Sequence, residues 1–119
     1  MADISFKAAY ASVVEDPEEG ALFIGFAQGE EEDEAYVLFR QPLGGGAVWF
    51  ELGDEAFGAD AALRAVSLTA QGLLIEIDPA KSAKFGFATS ALVGLGACED
   101  KDEALAALRE MLGALWQEG

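Results

Sequence analysis

The chain has 119 residues, with 22 Asp and Glu against seven Lys and Arg, no histidine, and a formal net charge of −15. That balance argues against nucleic acid as a partner, because affinity for a phosphate backbone comes from Lys and Arg releasing condensed counterions; something basic is expected instead. Without histidine the commonest general base and metal ligand is missing, so binding is expected rather than catalysis, with no metal and no cofactor.

The first apolar alternation, Ile4, Phe6, Ala8 and Tyr10, predicts a strand over residues 4–14, closed by Asp16-Pro17 and Gly20. The run ALFIGFAQ, residues 21–28, is apolar on both parities, as is YVLFRQ, residues 36–41. Both patterns predict strands covered on both faces. Between them GEEEDE, residues 29–34, reads as a hairpin connection. Pro42 and Gly44 to Gly46 break the second of these strands, and VWFEL, residues 48–52, predicts the next, with Phe50 and Glu51 on opposite sides. Residues 53–63 carry no clear period and are expected to form a loop over an end or face of the sheet.

Residues 64–70 and 72–78 predict two strands joined by a tight turn at Gln71-Gly72. Asp78-Pro79 has the form of an N-cap followed by proline at the first helical position, so one helical turn is expected over residues 80–84. TSALVGLG, residues 89–96, predicts a last strand. Leu105, Leu108, Leu112 and Leu115 recur at helical spacing, and Asp100 with Glu103 has capping-box spacing, so an amphipathic helix is expected from about Lys101 to Trp116.

The expected fold is therefore α+β: an antiparallel, meander-like sheet of six or seven strands in one domain spanning residues 1–119, with the C-terminal helix on one face. One helix covers one face only. A second sheet layer, a homodimer contact or a curled, partly closed sheet would each cover the other. With hydrophobic residues at 52% the chain is too apolar for disorder despite its charge. The lone Cys98 has no partner for an internal disulfide, and the opening MADISFKAAYASVVED lacks the pattern of a signal peptide, so a cytoplasmic location is expected. No apolar run approaches the roughly 20 residues of a membrane span, and no membrane partner is expected.

Two acidic clusters are candidate contact surfaces: Glu15, Asp16, Glu18 and Glu19 in the first turn, and Glu30, Glu31, Glu32, Asp33 and Glu34 in the second. Read functionally, they steer a cationic partner; read structurally, they are solvated turns that keep sheet edges soluble. Neither has the ligand alternation of a calcium loop. Glu51, close to Asp54 and Glu55 and next to Trp49 and Phe50, is a candidate acid or base if desolvated, but strand alternation alone faces it to water. Arg40 interrupts an apolar strand and needs an acidic partner, for which Glu51 on a neighbouring strand is available. Cys98 is expected to be a small buried filler. The GGG at residues 44–46 lacks the Lys and Ser/Thr of a phosphate loop.

The sequence LFIGFAQGEEEDEAYVLFRQ, then VWFELGDEAFG, the hairpin LRAVSLTAQGLLIEID and the C-terminal amphipathic segment resemble, in that order, the immunity protein 10 family of bacterial polymorphic toxin systems. In that family a tyrosine-led strand ends in a Gln-Arg pair and an aromatic-Glu strand follows. Here the pair is inverted to Arg40-Gln41, which moves each residue to the opposite face of its strand, and the second motif is Trp49, Phe50 and Glu51. The resemblance implies a cytoplasmic immunity protein that binds a cognate toxin and occludes its basic active-site cleft. The acidic turns, Trp49, Glu51, Asp54 and Glu55 would make the contact. The alternative is a homodimeric structural or adaptor domain. In that case the second apolar sheet face is the dimer interface.

Overall fold

In the computed structural model, which describes residues 3–29, 34–53, 56–96 and 98–117, the first apolar stretch forms two strands rather than one. β1 (Ile4–Lys7) and β2 (Tyr10–Asp16) belong to different sheets. The Ala8 N–H donates to the Gly94 carbonyl at 2.9 Å and the Ala9 N–H to the Ala27 carbonyl at 2.8 Å, so the chain crosses between sheets within two residues. Two small side chains leave room for that crossing.

From β2 onward the chain runs as an antiparallel meander. The turn after β2 is built by Asp16, whose side chain accepts the N–H groups of Glu18 and Glu19 at 3.0 and 3.2 Å. β3 (Ala21–Ala27), β4 (Tyr36–Pro42), β5 (Trp49–Leu52) and β6 (Gly58–Asp60) follow, giving a five-stranded sheet in the order β2-β3-β4-β5-β6. β6 lies in the stretch expected to be a loop; three residues are too few to show a period.

The other sheet also has five strands, in the order β1-β9-β8-β7-β10. β7 (Leu63–Thr69), β8 (Gly72–Ile77) and β9 (Ser90–Gly94) are antiparallel neighbours, while β1 joins β9 and β10 (Trp116–Gln117) joins β7 in parallel. Between β8 and β9 a 3-10 helix spans Pro79–Phe85, and Asp78 caps it by accepting the Ala80 N–H at 3.0 Å, as expected. This longer 3-10 segment carries Phe85 into the core.

The fold is α+β, but the expected single sheet with a helix on one face is replaced by two sheets. Their inner faces share one apolar cluster, in which Ile24, Phe26, Val37, Phe39 and Phe50 of the meander meet Val66, Leu73, Ile75 and Val93 of the other sheet. Phe50 packs on Phe39 and Phe85 with ring centroids 5.2 and 5.6 Å apart. Of the three ways to cover the second face, a second sheet layer is the one adopted for the inner face. The outer face of the meander carries no further layer among the described residues. Phe23 and Leu38, expected to be covered, are half-buried there, and Arg40 is exposed.

The helix α1 (Lys101–Leu112) leans on β2 and β3 and sends Ala104, Leu108, Met111 and Leu112 into the shared core. It is shorter than expected. Gly113, at φ 53°, ends it, and a 3-10 turn at Gly113–Leu115 leads into β10, because pairing with β7 draws Trp116 into extended backbone. The expected capping box is not formed: Asp100 sits at φ 61° with no side-chain cap. No helix among the described residues is long and apolar enough to cross a membrane.

Candidate protein-binding face

The outer face of the meander is where the chain displays chemistry. Strand alternation that buries Ile24, Phe39 and Phe50 turns Phe23, Arg40 and Trp49 outward. Register then aligns them in rows across the sheet. One row runs Val14, Phe23, Arg40, Trp49 and Asp60; the next runs Ser12, Gly25, Leu38, Glu51 and Gly58; a third has Tyr10, Ala27 and Tyr36. Tyr10 and Val14 are 43% and 51% exposed.

Glu51 is the buried charged residue of this face, only 7% exposed. Strand alternation does point it outward, as expected, yet neighbouring rings keep it from water. The Trp49 Nε1–H donates to Glu51 Oε1 at 3.1 Å and the Tyr36 hydroxyl donates to Oε2. The Trp49 indole lies over Gly58, where a Cβ would overlap the ring. A glycine at 58 therefore lets the indole fold down beside the carboxylate.

Arg40 does not pair with Glu51. Register sets Arg40 opposite Trp49 and Glu51 opposite Leu38, and the guanidinium lies over the Trp49 ring, 4.9 Å from its centroid. A cation over the indole face gains electrostatic attraction there. The carboxylate is left with two neutral donors.

Two hollows mark the face. A groove of about 410 Å³ runs between Glu19, Phe23, Arg40, Trp49 and Asp60. A smaller dent of about 240 Å³ lies over Gly25, walled by Tyr10 and Tyr36. Comparison of the chain with family models, curated proteins and solved structures finds no match.

Of the residues expected to form the contact, the structure brings Trp49, Glu51 and Glu19 to this face. Glu15 and Glu18 are exposed at or beside the turn that bounds it. Asp16 is half-buried and spends its side chain on the turn. Glu34 is half-buried. Glu30, Glu31, Glu32, Asp33, Asp54 and Glu55 lie outside the described residues. The expectation did not include Tyr10, Phe23, Tyr36 or Leu38 in the contact. Their signal was present in the sequence as the second apolar parity of each strand, with Tyr10 on the first strand's own apolar parity.

Away from this face, Asp3 and Cys98 have displaced acidities. The Thr89 backbone N–H and hydroxyl donate to Asp3 at 2.8 and 3.0 Å and hold its carboxyl below the ordinary value, tying the residue before β1 to the residue before β9. Burial pushes the Cys98 thiol up, with Lys101 opposing, so the thiol stays protonated at neutral pH. Among the described residues no group of three or more Cys, Asp or Glu is arranged to hold a metal ion.

Proposed function

We propose that this chain is a non-catalytic binding protein that occludes a basic protein partner, as an immunity protein occludes its cognate toxin, and that the outer face of the meander makes the contact. The observation that carries this is the composition of that face. Tyr36, Leu38 and Trp49 flank a buried carboxylate, and Tyr10 and Phe23 extend the same outward face, on a molecule of net charge −15. Aromatic residues are enriched and energetically dominant at protein interfaces, whereas a solvated face has no use for them. Exposed charges at a rim act mainly on the encounter rate. The turn carrying Glu18 and Glu19 would thus steer the partner, and the aromatic rows would hold it.

The test is association kinetics with the toxin domain encoded beside the gene of this chain. Trp49→Ala is expected to speed dissociation by about thirtyfold, the equivalent of about 2 kcal/mol for an interface anchor. Glu18→Gln with Glu19→Gln is expected to slow association at low salt and leave dissociation nearly unchanged. A Trp49→Ala protein that folds and dissociates like the unaltered chain would contradict the assignment of this face. Sedimentation of the chain alone as a dimer that Trp49→Ala dissolves would favour the homodimeric alternative.

A further inference from the structure

We infer, resting on the function just proposed, that the dent over Gly25 is a socket for one basic side chain of the partner. A glycine inside a strand weakens it by roughly 0.5–1 kcal/mol relative to alanine and calls for a reason. Gly25 has none within the fold. It does not have the positive φ that favours glycine. A Cβ there would meet the Ser12 Oγ at 3.4 Å, the Val37 carbonyl oxygen at 3.6 Å and Leu38 Cδ1 at 3.8 Å, which is ordinary contact. Gly72 differs: at φ 137° its Cβ would run into the Val93 carbonyl.

Over Gly25 lies a hollow of about 240 Å³ on the outer face, walled by Tyr10 and Tyr36 and flanked by Ser12, Ala27 and Leu38, and the absent side chain leaves its floor open. Two phenol rings attract a cation. Behind them Tyr36 donates its hydroxyl to Glu51, a buried carboxylate that no Lys or Arg among the described residues pairs with. Gly25 and Glu51 lie in one row on strands two apart, about 10 Å by the usual strand spacing, within the field of that charge. The same face already seats a guanidinium on a ring, that of Arg40 over Trp49. Charge complementarity on a chain of −15 points the same way. An arginine or lysine entering between the tyrosines lies in the field of a carboxylate whose donors among the described residues are neutral.

The probe is a hexa-arginine peptide, with hexa-glutamine as neutral control, titrated at low salt into labelled protein and followed by amide chemical shifts. Shifts are expected to converge on Gly25, Tyr36 and Leu38. Gly25→Val puts a branched side chain into the dent at a position where a Cβ meets only ordinary contacts, and is expected to weaken peptide binding at least tenfold while leaving the thermal midpoint unchanged or raised. Tyr10→Ala, at an exposed position, is expected to weaken binding too and serves if valine perturbs the fold. Undiminished binding by both variants, or shifts confined to the turn at residues 16–20, would overturn the socket while leaving a basic partner standing. Equal binding of hexa-glutamine in the dent would overturn the basic occupant. No binding of hexa-arginine at all would overturn both the socket and the basic partner.

Discussion

Glu51 gives up hydration worth several kcal/mol and recovers part of it through the Trp49 and Tyr36 donors. Removing one donor leaves a buried carboxylate half satisfied. Tyr36→Phe is therefore expected to lower the free energy of unfolding by about 2 kcal/mol, within the range for hydrogen bonds to charged groups, as read by urea titration. An unchanged midpoint would mean that water, not the phenol, solvates this carboxylate. The sequence placed Glu51 on the outward parity and showed its aromatic neighbours, but not its burial. Burial comes from Trp49 folding over Gly58 on the next strand and from Tyr36 reaching across from β4, relations that depend on register rather than on local pattern. Arg40 was misassigned for the same reason: which row it shares is fixed by pairing, and pairing set it on Trp49.

At the scale of elements, legibility followed length and punctuation. β3, β4 and the β7-β8 hairpin are long enough to show apolar parity and are bounded by Gly, Pro or acidic turns, so their existence could be read directly. The break between β1 and β2 carries no Gly or Pro, only Ala8 and Ala9, and alternation continues through it. β6 and β10 are too short for any period and exist because a neighbouring strand offers its edge. The turn at Gly72 is tightly constrained, because β8 passes close to the Val93 carbonyl there. Gly72→Ala combines an unfavourable φ with a backbone collision, so a loss of about 3 kcal/mol or more is expected in urea titration. Alanine there at no cost would mean that the β8-β9 pairing is looser than described. The paired glycine test is sharp because Gly25, also in a strand, is expected to accept a larger residue without loss.

For the whole molecule, the two sheets divide the work. The inner faces close one core, and the 3-10 helix and α1 add Phe85, Leu108 and Met111 to it. That leaves two outer faces of different character. The outer face of the β1-β9-β8-β7-β10 sheet presents Ser5, Lys7, Leu74, Glu76, Ser90 and Leu92, with no aromatic ring among its described strand residues, whereas the meander presents Tyr10, Phe23, Tyr36 and Trp49. Composition and charge alone pointed to a basic protein partner; they did not say which surface meets it, because the second sheet, which sorts the faces into inner and outer, was not legible in the strand pattern. The most direct test of the proposed binding face is hydroxyl-radical footprinting of the chain, alone and in complex with a basic protein partner of the kind proposed above. Protection of Tyr10, Phe23, Tyr36 and Trp49, with Leu74 and Leu92 labelled as in the free chain, is the expected result. Protection of Leu74 and Leu92 with the meander aromatics unaffected would contradict it.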